Sequence, residues 1–238
     1  EELKKAGVHV DMPVHADAKD LMETMAAVLR EEYDKKPVFD GGEGLPGMTW
    51  SETCRMYREK YPTIRKEQLK PDPDHEANVY AVIEAISSRL SEDQITVVGN
   101  GSACVVGGHG YIMKEGQRFL SNSAIASMGY DLPAAIGACM AAHDPEHEGD
   151  GYSRHDIILV TGDGSIQMNL QELQTIIHHR MPIKIFLINN GGYHSIRQTQ
   201  KNFFGEPLVG IGTDSHDLSF PDMEKLAWAY GYPYIAAH

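Results

Sequence analysis

Cysteine is scarce in this chain: Cys54, Cys104 and Cys139 are its only three in 238 residues, widely spaced and without a Cys-x-x-Cys pair. Such usage excludes a disulfide framework and the paired-thiolate zinc motifs, and it favours a reducing compartment, so the chain reads as cytoplasmic. Long apolar runs are also missing, and none approaches the roughly 20 residues that a membrane-spanning helix needs. Basic residues are few, with 21 Lys and Arg against 34 Asp and Glu and a net charge of −13. That balance argues against nucleic acid as a partner, because phosphate backbones select basic surfaces. No internal repeat, signal peptide or low-complexity tract stands out. A content of 42% hydrophobic and 23% charged residues suits one large globular domain, or one domain with an appendage.

Twelve histidines invite a metal reading, but His143, His147 and His155 flank or lie in the acidic, glycine-containing stretch 144–151. That stretch reads as an exposed loop that aligns no ligands on one element. His178-His179 closes a helix, where positive character complements the helix dipole.

What the chain does have is a pair of motifs at strand ends. Ile157, Ile158, Leu159 and Val160 form an apolar run of strand length, stopped by Gly162-Asp163-Gly164-Ser165. From Gln167 to Arg180 the apolar residues Met168, Leu170, Leu173, Ile176 and Ile177 recur at mostly helical spacing, with Ser165 as the expected N-cap. Met181-Pro182 breaks that helix, and Ile183 to Ile188 reads as a second buried strand. A right-handed crossover places the two strands parallel with their ends on one rim, where Asp163 meets Asn190, 27 residues later. Hard oxygen ligands on such a rim suit Mg2+, which completes its octahedron with water and phosphate oxygens. Gly164 and Ser165 would present backbone N–H groups to a diphosphate at a helix start. Taken alone, the tetrapeptide also suits a plain strand-to-helix turn, Met128 suits core packing, and Asn100-Gly101 suits an ordinary turn. The Asn189-Asn190-Gly191-Gly192 segment after a second strand favours the ligand-binding reading of the tetrapeptide.

These residues and their spacing resemble the cofactor motif of thiamine diphosphate-dependent enzymes, and within them the acetolactate synthase large subunits and their relatives. The segment from Ser127 to Ala138, which contains Met128-Gly129-Tyr130-Asp131-Leu132-Pro133-Ala134-Ala135-Ile136-Gly137, is similar to the MGxGLPAAIGA segment of that family. The resemblance implies Asp163, Asn190 and the Gly192 carbonyl as Mg2+ ligands, and Gly164, Ser165, Ser102 and Tyr193 around thiamine diphosphate. It further implies Met128 as the residue that bends the cofactor and backbone near Ala126 as the part that meets the aminopyrimidine. The activating glutamate is expected on a separate N-terminal domain, from a partner subunit, so no catalytic residue is assigned in this chain. FAD, carried by some relatives mainly on a central domain, is left undetermined.

The same resemblance implies decarboxylation of a 2-oxo acid and ligation of the resulting enamine to a carbonyl acceptor, in a homodimer or homotetramer. A simple 2-oxo acid decarboxylase, or a noncatalytic domain that keeps the fold, are the alternatives. Two departures from the family bear on substrate: Thr199 stands where acetolactate synthases carry a selecting tryptophan, and Asn100-Gly101-Ser102 replaces a GQHQ-like loop. His194 is a candidate acid-base group or an exposed neighbour of the site.

The expected fold is a three-layer α/β/α doubly wound, mostly parallel sheet preceded by a remnant of a central domain. Residues 1–32 correspond to that remnant, with a short strand from Val8 to Pro13 and a helix from Ala16 to Arg30 carrying Leu21, Met25, Val28 and Leu29 on one side. Residues 33–73 form a Gly- and Pro-rich connection with a short helix around Trp50 and Cys54 to Tyr61. Residues 74–238 form the cofactor-binding domain, with a helix from about Asp74, a strand from Ile95 to Val98, and a last helix from Pro221 to Tyr230. The family continues past this point, so the chain reads as cut at both ends.

Overall fold

The computed structural model describes Gly7 and residues 9–35, 45–70, 76–144 and 156–237. The chain divides into two compact units, Glu1–Pro62 and Thr63–His238.

In the first unit, α1 (Ala18–Lys35) and α2 (Trp50–Lys60) are the described elements. The amide of Lys19 donates to the Asp17 carboxylate at the start of α1. A capping box opens α2: the Thr49 hydroxyl accepts the Glu52 amide at 3.3 Å, and the Glu52 carboxylate accepts the Thr49 amide at 2.8 Å. The Thr49 amide and the Thr49 hydroxyl, both donating to the Glu52 carboxylate, hold that carboxyl below its ordinary range. Met25, Val28 and Leu29 on α1 are exposed. The strand expected from Val8 to Pro13 does not form: residues 9–13 are irregular, with a bend at Asp11-Met12, and Val8 lies outside the described residues. A strand needs a partner ladder, and Pro13 brings no amide to one.

The second unit is built on four parallel strands, β1 (Ile95–Val98), β2 (Arg118–Ser121), β3 (Ile157–Gly162) and β4 (Ile183–Ile188), in the order β2-β1-β3-β4. Alternation along the strands sends Ile95, Val97, Ile157 and Leu159 to one face and Val98, Ile158 and Val160 to the other. Helices α5 (Asp131–Ala142) and α7 (Glu172–His179) cover the first face through Leu132, Ala135, Cys139, Leu173 and Ile176. Helices α3 (Val79–Arg89) and α4 (Ser102–Gly110) cover the second through Ile83, Ile86, Ala103 and Val106. With both faces buried, β1 and β3 need continuous apolar sequence, which explains their unbroken runs. The result is the three-layer, doubly wound parallel architecture that the alternation of elements implies.

Some boundaries differ from the sequence reading. The expected helix from Asp74 begins at Val79, where the Asn78 side chain accepts the Tyr80 amide at 3.0 Å; Asp74 itself lies outside the described residues. The last helix, α9 (Met223–Tyr230), starts after Asp222, whose carboxylate accepts the amides of Glu224 and Lys225. The crossover expected as one helix is broken into α6 (Asp163–Ile166), a 3-10 turn (Gln167–Asn169) and α7. Ser165 is therefore not an N-cap; it lies inside α6 and its hydroxyl oxygen accepts the Gly129 amide at 3.0 Å. Gly164, Ser165 and Asn169 are weak helix formers, and the break lets Ser165 and Asn169 reach the 129 loop. At the end of α7, Arg180 adopts a left-handed conformation with φ 50 and the chain turns into Met181-Pro182. His143 is exposed just after α5, whereas His147 and His155 fall outside the described residues.

Candidate cofactor site

Strand order decides where the site lies. From β1 the chain moves one way to β2, while β3 lies on the other side of β1, so a crevice opens between the carboxyl ends of β1 and β3. A small open cleft occupies this position. Three segments line it: Asn100 to Ala103 after β1, Gly162 to Ser165 at the end of β3, and Ile188, Asn190 and Gly192 to Ile196 at the end of β4, with Met128 from the loop before α5.

Asp163 is the chemical centre. Its side chain is buried, its Oδ1 accepts the Gly164 amide at 2.8 Å, and its Oδ2 accepts the Gly192 amide at 3.0 Å. Burial raises its carboxyl above the ordinary range, while backbone N–H groups of Gly192, Gly164, Gly191 and Asn190 pull it back down. Among the described residues no side-chain cation pairs with it. The two loops are joined by this direct hydrogen bond between Asp163 and Gly192, residues 29 apart in sequence, and not by the Asn190 side chain, which reaches Ser102.

Asn190 stands on the exposed side of the cleft, and its amide nitrogen donates to the Ser102 hydroxyl at 3.4 Å. That contact joins the β1 and β4 loops across the crevice. Ser102 opens α4, after Gly101 in the left-handed region at φ 59. The Gly192 carbonyl accepts the His194 amide at 3.1 Å in a tight turn into α8 (His194–Phe203). A second carbonyl lone pair remains for another partner. Gly192 also bridges to Gly212, where a Cβ on Gly192 would lie 2.1 Å from the Ile211 carbonyl oxygen; only glycine fits.

Met128 and Tyr193 close in over Gly164. Ala126 does not line the cleft; it is exposed, left-handed at φ 54, and its amide donates to the Asn122 carbonyl at 2.7 Å. His194 and Ser195 do line it, whereas Thr199 sits farther along α8 with its hydroxyl donating to the Ser195 carbonyl at 3.1 Å. Among the described residues no group of three His, Cys, Asp or Glu side chains converges. A cation here would rest on one carboxylate, one amide and one carbonyl.

Sequence reasoning passed over several residues that build this site. Asp131, inside the MGYDLPAAIGA segment, is fully buried and accepts the hydroxyl of Thr161, two residues before Asp163. Asn169 donates to the Gly129 carbonyl at 2.6 Å, fixing the loop that carries Met128. Arg197 pairs with Asp214 behind the glycine turn. A lone charge in the otherwise apolar 127–138 segment was the available signal for Asp131; the contacts of Asn169 and Arg197 leave no local pattern.

Against known families, residues 99–238 match the thiamine pyrophosphate enzyme, C-terminal TPP binding domain. The chain belongs to that family. The match begins at the residue following β1 and takes in all the segments that line the cleft. Over 229 residues the chain is 29% identical to the acetolactate synthase isozyme 3 large subunit of Escherichia coli K12, covering 94% of this chain and 35% of the relative. It is 31% identical over 188 residues to the acetolactate synthase large subunit of Porphyra purpurea, 77% of this chain and 28% of the relative. A shorter match of 122 residues reaches 38% identity with the acetolactate synthase large subunit of Cyanidium caldarium, 51% of this chain and 18% of the relative. This is thus a thiamine diphosphate-binding, acetolactate synthase-like domain, and it spans about a third of the length of the first of these relatives. No described helix is long and apolar enough to cross a membrane.

Proposed function

We propose that this chain is the diphosphate-binding half of an acetolactate synthase-like carboligase, holding thiamine diphosphate through Mg2+. The observation that carries the reading is the buried Asp163 carboxylate at the β1/β3 crevice, hydrogen-bonded to the Gly192 amide and lacking a side-chain cation among the described residues. A carboxylate removed from water calls for a compensating charge, and a divalent cation supplies it. The donor set fits Mg2+: the Asp163 carboxylate, the Asn190 amide oxygen and the Gly192 carbonyl are hard oxygens, with water and phosphate oxygens left to complete an octahedron.

In this reading the Ser165 amide and the Ser102 hydroxyl hold the diphosphate, joined by the Gly164 amide once a metal draws Asp163 Oδ1 away from it, and Met128 and Tyr193 shape the wall beyond. Backbone around Ala126 serves the aminopyrimidine end. The bound cofactor supplies an electron sink for carbanion chemistry on a 2-oxo acid. The chain's own residues position it and shield it from water. A partner N-terminal domain contributes the activating carboxylate, within a homodimer or homotetramer that works in the cytoplasm. Residues 1–32 then end a central domain, residues 33–73 connect it, and residues 74–238 form the cofactor domain.

The test is a thiamine diphosphate titration of the chain with and without Mg2+, on wild type and Asp163→Ala. Metal-dependent binding by wild type that disappears in the variant is expected. Equal affinity in the two proteins rules the reading out.

A further inference from the structure

The turn that would supply two of the three metal ligands has little conformational preference of its own. Gly191 and Gly192 both take positive φ, 69 and 138, and the facing Gly212 takes 156. Glycine enters these regions freely, and by the same token it does not hold them. Something outside the turn must hold it.

Arg197 does so from one turn inside α8. Its NH2 donates to the Gly191 carbonyl at 3.2 Å and to Asp214 Oδ1 at 3.0 Å, and its Nε lies 2.8 Å from Asp214 Oδ2. NH2 is thus shared between the carboxylate and the turn, while Nε makes a close ion-pair contact with Asp214 that lacks hydrogen-bond alignment. The Arg197 side chain is 14% exposed and that of Asp214 41%, so solvent and salt reach the pair from the carboxylate side while the guanidinium is shielded. Asp214 sits on the 3-10 turn Thr213–Ser215, and the Thr213 amide donates to the same Gly191 carbonyl at 3.2 Å. A Cβ on Gly212 would lie 2.1 Å from that carbonyl oxygen, so the two glycine backbones are pressed together. Gly191 is flanked by Asn190 and Gly192, and fixing its carbonyl fixes both neighbours.

We propose that the Arg197–Asp214 pair is a positioning device that sets the spacing of the Asn190 side chain and the Gly192 carbonyl, and thereby makes the site prefer Mg2+ to larger divalent cations. The inference rests on the metal reading of the preceding section. Mg2+ demands near-ideal octahedral geometry at about 2.0–2.1 Å, whereas Ca2+ accepts irregular shells at about 2.3–2.6 Å. A loosened turn should therefore cost Mg2+ more than Ca2+. Lysine cannot reproduce this arrangement, because it offers a point charge in place of a planar guanidinium that reaches the turn carbonyl and the carboxylate together.

The experiment titrates Mg2+ or Ca2+ into the full chain at fixed thiamine diphosphate, following cofactor binding by calorimetry. Wild type, Arg197→Lys, Arg197→Met and Asp214→Asn are compared, and each variant's unfolding temperature is taken in EDTA. The Mg2+ half-saturation should rise by about 10-fold or more in Arg197→Met and Asp214→Asn, the scale seen when outer contacts of metal ligands are removed. Ca2+ half-saturation should move several-fold less, and Arg197→Lys should resemble Arg197→Met more than wild type. Equal shifts for the two cations indicate general damage and overturn the proposal, as does an unchanged Mg2+ half-saturation in both Arg197→Lys and Asp214→Asn. Wild type that binds thiamine diphosphate without any divalent cation overturns the metal reading itself, and the proposal falls with it.

Discussion

A Cβ placed on Gly164 would stand 2.4 Å from Cε1 of Tyr193. The loops after β3 and β4 therefore touch at a point where no side chain fits, and the Tyr193 ring takes the space that residue 164 leaves open. The ring is backed on another side by Phe220 in an edge-to-face contact, with centroids 5.8 Å apart.

Gly164→Ala should accordingly destabilise the fold by about 1–3 kcal/mol, the usual cost of overpacking. Removing the ring removes the conflict, so Gly164→Ala/Tyr193→Ala should be more stable than the sum of the single changes implies. Chemical denaturation of the four proteins measures that coupling. Additive effects would mean that the alanine at 164 is accommodated without displacing Tyr193.

Beneath the cleft, Asp131 joins three elements at once. It starts α5, accepts the Thr161 hydroxyl at the end of β3, and packs on Gly99 at the end of β1, where an added Cβ would lie 2.3 Å from its Oδ2. Asp131→Ala leaves the Thr161 hydroxyl without that partner in a buried setting, which costs about 1–3 kcal/mol before any cavity is counted. Asp131→Asn keeps the shape and one acceptor oxygen and should cost less. Urea midpoints of the two variants settle the order, and an alanine variant as stable as wild type would sink the account.

The phenol of Tyr232 is pushed up to about 12 by burial, and it donates to the Leu173 carbonyl at 3.1 Å. Its pKa in the folded protein is above the unfolded value of about 10, so the native state favours the protonated form. The resulting stability is fully present below about pH 10 and is lost as pH rises through about 12. Burial also raises the Tyr111 phenol, so ultraviolet titration should show late-ionising tyrosine absorbance, and Tyr232→Phe should lower that late amplitude by one ring. Ionisation of all tyrosines together near pH 10 in folded protein would contradict it.

Sequence alone determined the layer plan and the placement of Asp163 and Asn190 just past two parallel strands. The apolar runs at 95–98 and 157–160 are strands buried on both faces, and that burial writes itself into composition; the run at 183–188, expected as a buried strand, instead ends the sheet order with Lys184 and Phe186 exposed. Asp163 and Asn190 were legible because turn residues follow those runs at strand ends. The break in the crossover after Ile166, by contrast, was hidden, since apolar spacing at 167–180 is helical and the competing contacts come from Gly129, about 40 residues earlier in the chain. β2 was also passed over, being short and only partly buried, with little periodicity to mark it.

Only the tertiary structure decided what restrains the site. The contacts of Asp131 with Thr161, Asn169 with Gly129, and Arg197 with Gly191 and Asp214 join residues whose sequence separations carry no period. Local sequence records hydrophobic pattern and turn chemistry because each residue expresses them by itself. A hydrogen bond between two loops depends on where strand order brings both of them, and in this chain the order β2-β1-β3-β4 gathers those loops around one crevice.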